Sequence, residues 1–197
     1  MARERGPRFK LCRRLGLNVV GHPKAMNRSN IQNSRAGRKL SDYGTQLLEK
    51  QRLRAYYGVL EKQMLRYVKD AFSSKEMPSE VLVRTLESRL DNMVFRMGFA
   101  NSLRAARQMV NHGHVLVDGK KVNIPSFALS PGSQVVLREK SRNSPNYIDA
   151  IQNNGVNILP YIEKDLDNYK ATYVRYPERH EIPIEIKDQL IVEYYSK

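Results

Sequence analysis

The chain has 197 residues and a formal charge of +14, with a pI near 10.0; that length allows one large domain or two small ones, each with a modest core. A basic excess of this size selects nucleic acid or an anionic membrane surface as partner. No stretch approaches the roughly 18 consecutive apolar residues of a spanning helix and tryptophan is absent, so membrane insertion is not expected and nucleic acid leads.

The charge is unevenly placed. Residues 1–40 carry 11 Lys and Arg against the single acid Glu4, and residues 88–144 carry 9 against 3. Residues 41–87 are nearly balanced at 8 against 7, while residues 145–197 carry 6 against 9. Two regions are therefore electropositive, and the C-terminal one is not.

Residues 1–40 form a basic extension punctuated by Gly6, Pro7, Gly16, Gly21, Pro23 and Gly37. Apart from a helical fragment from Arg8 to Leu15, low hydrophobicity and high charge predict a segment that orders only against a partner that neutralises it. Arg3, Arg5, Arg8, Lys10, Arg13, Arg14, Arg35, Arg38 and Lys39 are its phosphate-contact candidates. A cleavable signal or transit peptide fits poorly, because no apolar core segment or cleavage-like site interrupts the basic character. Cys12 is the single cysteine, which excludes an internal disulfide and a four-cysteine zinc site and points to a reducing compartment. His22, His112, His114 and His180 show no metal-ligand spacing with Cys12. No metal and no cofactor are expected.

From Asp42 to about residue 72 the pattern is helical, with Leu47, Leu48, Leu53, Tyr56, Tyr57, Val59, Leu60, Met64, Leu65 and Val68 as apolar positions and Gly58 as a bend or helix junction. Tyr56 and Tyr57 read as core, whereas Lys50, Arg52 and Arg54 read as a cationic cluster open to a polyanion. Pro78, Ser79 and Glu80 open a second helix whose buried side takes in Val81, Leu82, Leu86, Leu90, Val94 and Met97, with Gly98 as its stop.

Residues 102–122 predict a short basic helix delivered into a hairpin. Ser102 caps it, Leu103, Ala106 and Val110 form its core stripe, and Arg104, Arg107, Gln108 and Asn111 fall on the other side with no carboxylate among them. Gly113 stops the helix, and Val115, Val117 and Val122 flank the Asp118-Gly119 turn signal. A surface helix with solvated arginines is the blander reading of this face, and the charge partition weighs against it. Ser133 to Arg138 predicts a further strand, followed by a polar linker, a short helix near Tyr147 to Gln152, a loop at Asn153, Asn154 and Gly155, a strand near Ala171 to Arg175, and an apolar closing segment from Ile184 to Tyr195.

The expected fold class is α+β. A helical first domain at 41–87 is completed by 150–197, and an RNA-binding module of short helices plus a small antiparallel sheet is inserted at 88–149.

Several runs carry a resemblance. Leu40-Ser41-Asp42-Tyr43-Gly44, Glu49-Lys50-Gln51-Arg52-Leu53-Arg54, Tyr57-Gly58-Val59, Ser88-Arg89-Leu90-Asp91-Asn92 and Arg96-Met97-Gly98 resemble bacterial small-subunit ribosomal protein S-four. So do Ala105-Arg107-Gln108-Val110-Asn111-His112-Gly113, Asn123-Ile124-Pro125-Ser126, Arg138-Glu139-Lys140, Pro177-Glu178-Arg179 and Leu190 to Lys197. The matches run in one order along the whole chain. The resemblance implies a primary binder of 16S ribosomal RNA at a helix junction in the 5′ domain, nucleating 30S assembly in the cytoplasm. It adds Arg89, Arg96, Arg104, Arg107, Gln108, Asn111, His112 and His114 to the RNA contacts, and Lys50, Arg52 and Arg54 from the first domain. It also implies contacts with ribosomal proteins S-five and S-twelve that influence decoding accuracy, with Glu178, Glu181, Glu185 and Glu193 as the place to look for protein partners.

Two departures from the family pattern stand out. Where some members hold zinc with four cysteines, this chain has Phe9, Cys12, Met26 and Ile31, which implies the zinc-free form with an apolar cluster in place of the metal. The His-Gly segment usual before Leu40 is replaced by Asn33-Ser34-Arg35-Ala36-Gly37. Two rival classes remain in view: an accessory module of an RNA-modifying enzyme, and a free-standing stress factor that binds stalled particles. Against the first, no phosphate loop, paired-carboxylate site or Cys/His nucleophile is present, so no enzyme activity, small-molecule substrate or membrane partner is expected. Against the second, the chain is larger than the central segment alone.

Overall fold

A computed structural model describes residues 6–28, 39–154, 159–165 and 167–196. They divide into two compact units, one built from the chain up to Val83 together with Ile184 onward, the other from Arg84–Pro183.

The first unit is helical. Helix α1 (Arg8–Leu15) ends at Gly16, whose φ of 64° lets the chain turn back so that the Leu17 N–H reaches the Cys12 carbonyl at 3.3 Å. Cys12 and Leu15 face inward and join Val19, Ala25 and Leu48 in a small core, with Phe9, Leu11, Leu17, Val20 and Met26 packed around it. Residues 6–28 fold around this core against Leu48 of the next helix. Averaging over forty residues hid this apolar run, in which Arg8, Lys10 and Arg14 point outward.

Helix α2 (Asp42–Tyr56) is capped by Ser41, whose Oγ accepts the Gly44 N–H at 3.2 Å. Gly58, at φ 59°, ends it and allows Val59 N–H to bond Arg54 O at 3.0 Å, which separates α2 from α3 (Glu61–Ser73). Met64, Val68 and Ala71 form the buried stripe of α3 at helical spacing. Helix α4 (Pro78–Glu87) begins on the expected proline.

The single helix expected over 78–97 is instead two, α4 and α5 (Leu90–Arg96), parted at Ser88 and Arg89. Ser88 Oγ bonds back to Arg84 O at 2.9 Å and pairs with the buried Tyr173 hydroxyl at 2.9 Å. The freed backbone is satisfied by a passing strand: Leu90 N–H donates to Phe127 O and Ser88 O accepts from Leu129 N–H, each at 2.8 Å. Apolar spacing alone carries no trace of that exchange.

Within the second unit, α6 (Leu103–Asn111) is capped by Ser102 on Ala105 N–H at 3.2 Å and leads into β1 (Val115–Val117), as expected. Asp118 and Gly119 both take positive φ, 48° and 77°, giving the primed turn that returns the chain as β2 (Lys120–Lys121). Asp118 also accepts the Gln134 N–H at 2.8 Å, tying the hairpin to β3 (Gln134–Leu137). The short helices α7 (Glu139–Arg142) and α8 (Pro145–Asn154) precede β4 (Ile162–Asp165) and β5 (Lys170–Tyr173). All five strands form one antiparallel sheet in the order β2-β1-β3-β5-β4.

That sheet moves a boundary. Val135 pairs with Ala171 across β3 and β5, and Tyr161, Ile162, Ala171 and Tyr173 share one core with Leu90, Met93, Val94, Val110 and Val115. Residues 150–183 therefore complete the module rather than the helical domain. Backbone pairing fixes this choice, and β4, reading Ile-Glu-Lys-Asp, gave no strand pattern. Only the end of the chain packs with the helical unit, where Ile184, Ile186 and Ile191 are buried and α9 (Asp188–Tyr195) lies on α2.

Glu61 locks this end in place. Its carboxylate takes Lys50 Nζ at 3.0 Å, Arg54 Nη1 at 2.9 Å and the Tyr195 hydroxyl at 2.9 Å. Burial pushes this carboxyl up, but the hydrogen bonds and charge of Lys50, Tyr195 and Arg54 outweigh it and hold the group below its ordinary value. Ile191→Ala is expected to destabilise the helical unit by about 2–5 kcal/mol, the cost of a truncated core aliphatic. Urea denaturation followed at the helical signal measures it.

Candidate nucleic-acid interface

Helix α6 is strongly two-sided. Ala106, Met109 and Val110 are buried, and Arg104, Gln108 and Asn111 lie exposed at spacings of four and three, one above the other on a single face. His112 continues that face. At the helix end Gly113, with φ 68°, brings the His114 N–H onto Met109 O at 3.1 Å. A Cβ at Gly113 would collide with the Lys121 side chain, which lies across it from β2. The result is a ridge of guanidinium, amide, imidazole and ammonium donors without a carboxylate of its own helix. Such a ridge can take phosphate and ribose oxygens.

Arg107 is placed differently. It is mostly buried, with Nε 2.8 Å and Nη2 2.6 Å from Asp91 Oδ2. Asp91 is fully buried and also takes Arg89 through Nε at 3.1 Å and Nη2 at 2.8 Å, and the Asn92 N–H at 2.9 Å. Arg96 enters a second buried pair, Nε to Glu87 Oε1 at 2.6 Å, where the Tyr161 hydroxyl adds a bond at 2.9 Å. Arg89 and Arg96 are only 3% and 9% exposed, so their expected role as RNA contacts gives way to a structural one. Burial pushes the neighbouring Tyr173 hydroxyl up to about 12, which keeps it protonated for its bond to Ser88.

A similar correction applies to the helical unit. Lys50 is 5% exposed, bonded to Glu61 and seated over the rings of Tyr194 and Tyr195 at 4.6 and 5.7 Å. Arg52 reaches Glu49 at 2.6 Å and the Leu15 carbonyl at 3.0 Å, and Arg54 pairs with Glu61. These three cations join α1, α2, α3 and α9 to one another. Basic residues at helical spacing look alike in sequence whether they face solvent or a carboxylate on the same or the next helix.

On the N-terminal side, Arg8, Lys10, Arg14 and Lys39 are exposed and Arg13 is half-buried. Arg3, Arg5, Arg35 and Arg38 lie outside the described residues, as does Ile31. Phe9, Cys12 and Met26, three of the four positions set against the zinc ligands of some relatives, share the small apolar core on α2. No group of three or more His, Cys, Asp or Glu is arranged to hold a metal among the described residues, and none of their helices is long and apolar enough to cross a membrane. Of the C-terminal acids, Glu181 is bound by Arg175 and Glu193 accepts from Gln46 at 3.0 Å, while Glu178 and Glu185 are exposed.

Each unit also carries cations beyond those expected from the sequence. Lys24 and Arg28 are exposed beside the first core. In the module Lys120 and Lys121 are exposed, and Arg138 Nη1 donates to Gly113 O at 3.1 Å. The Asp-Gly turn before Lys120 was the available signal, because a two-residue turn folds those lysines back beside the helix end.

His114 sits among these groups. Its Nδ1 is 2.9 Å from Ser141 Oγ. Burial first, then the charges of His112, Arg138 and Lys121, push its imidazole below the ordinary value. A depressed imidazole binds fewer protons folded than unfolded, so its stabilising contribution is complete above the unfolded value and is lost as pH falls through the folded one. Between pH 7 and 5 the urea midpoint should therefore fall further for the native chain than for His114→Gln.

The family described as "Ribosomal protein S4/S9 N-terminal domain" matches residues 3–87 and the "S4 domain" matches residues 88–135. The small ribosomal subunit protein uS4 of Finegoldia magna is 56% identical over the full length of both chains, and uS4B of Clostridium acetobutylicum is 52% identical, also over the full length of both. The chain belongs to the uS4 family of small ribosomal subunit proteins. This family is structural rather than enzymatic. Its S4 domain match ends at residue 135, inside β3, whereas the compact unit continues to Pro183 because β5 and β4 extend the same sheet.

Proposed function

We propose that this chain is a structural protein of the cytoplasmic small ribosomal subunit that binds 16S ribosomal RNA as a primary binder, at a helix junction in the 5′ domain, and so helps nucleate 30S assembly. The observation that carries the reading is the exposed, carboxylate-free ridge of Arg104, Gln108, Asn111 and His112 on α6, in a chain that spans the full length of its uS4 relatives. Arg8, Lys10, Arg13, Arg14 and Lys39, with Arg3, Arg5, Arg35 and Arg38, add further phosphate contacts. Arg107 lends its charge to the ridge from its seat on Asp91. Counterion release makes the binding steeply salt-dependent, and rigid surfaces read the shape of the folded junction through phosphates and 2′-hydroxyls.

Contacts with ribosomal proteins S-five and S-twelve, and an effect on decoding accuracy, belong to the same reading; the exposed acids Glu178 and Glu185 are available to protein partners. Sedimentation of a tagged copy tests the assignment. Stoichiometric presence in mature small subunits is expected, and presence only on aberrant or stalled particles would favour the stress factor.

A further inference from the structure

The end of α6 carries three aromatic rings in sequence of contact. His112 lies 5.9 Å from His114 between centroids, and His114 lies 5.4 Å from Tyr147, at the start of α8. His112 is exposed and the other two are half-buried. Beside them stand two cations held by the same glycine: Lys121 lies across Gly113, and Arg138 is bonded to the Gly113 carbonyl at 3.1 Å.

We propose that this corner is a nucleotide-sized site that takes one unpaired RNA base against the His112–His114–Tyr147 rings and its phosphate on Lys121 and Arg138. The proposal rests on the RNA-binding reading and sharpens it. Phosphate contact alone would need only the cations, and duplex RNA hides its base faces in the stack. A ring surface next to a cation pair fits a splayed nucleotide, which offers a π-face and a phosphate together. Burial and the neighbouring charges of His112, Arg138 and Lys121 hold the His114 imidazole below its ordinary value, which disfavours a further positive charge on the middle ring. Tyr147 lies well outside the helix-and-hairpin stretch and has no charge to mark it.

The test uses the full chain and two probes, an oligoadenylate RNA octamer and an abasic ribose-phosphate octamer that keeps the phosphates but has no bases. The native chain should bind the adenine octamer about tenfold more tightly, within the range of one stacked base. The double variant His112→Ala with Tyr147→Leu should bring the two affinities within about twofold, and His112→Ala alone should narrow the gap without risk to the core. Lys121→Gln with Arg138→Gln should weaken both probes equally. An unchanged gap in the His112→Ala and double variants overturns the base site, and if Arg104→Glu still weakens both probes the RNA-binding reading survives that failure. A native chain that binds neither octamer overturns the base site, and if it still binds a 5′-domain RNA fragment the RNA-binding reading stands.

Discussion

Asp91→Ala is expected to destabilise the unit of residues 84–183 by about 3–5 kcal/mol, the cost of removing one partner from a buried ion cluster. The carboxylate is fully buried and is the shared acceptor of Arg89 and Arg107. Removing it leaves two guanidinium groups facing each other without the carboxylate that both share. Asp91→Asn keeps the shape but cannot neutralise either cation, and a loss of more than about 2 kcal/mol is expected there too. Urea denaturation with a sheet-sensitive signal measures both. A loss below about 1 kcal/mol for Asp91→Ala would show that the cluster does not hold the module together.

Arg104→Glu combined with Gln108→Glu should lower affinity for a 5′-domain RNA fragment by well over tenfold while leaving the melting transition unchanged. Both side chains are exposed on the ridge, where substitutions cost little stability, typically within about 0.5 kcal/mol. Each introduced carboxylate faces phosphate, and losing the Arg104 contact should reduce the salt slope by about one. Arg107→Glu is the wrong probe for the same face. It would set a second carboxylate against buried Asp91 in place of a cation, so lost binding would follow from lost structure. Filter binding across a salt series measures the expected effect, and unchanged affinity would remove α6 from the interface.

Much of this architecture was legible because its signals are local. Ser102, Gly113 and Asp118-Gly119 each dictate a backbone event within a few residues, and the helix-to-hairpin unit follows from them. What stayed hidden depends on pairings that periodicity does not register, some close along the chain and some between distant segments. The partners that claim Lys50, Arg54, Arg89 and Arg96 are Glu61, Asp91 and Glu87, and periodicity cannot tell a cation aimed at such a carboxylate from one aimed at solvent. The break at Ser88 and the placement of β5 on β3 likewise arise from backbone bonds between distant segments. The consequence for the interface is a narrower set of donors, centred on α6 and extended by Lys121 and Arg138 rather than by the cations of α2.

Chemical footprinting of 16S ribosomal RNA with the native chain and the Arg104→Glu, Gln108→Glu variant tests the central claim most directly. The account predicts backbone protections clustered at one helix junction of the 5′ domain, lost selectively at the α6 contacts in the variant. Diffuse protections, or a native pattern retained by the variant, would contradict it.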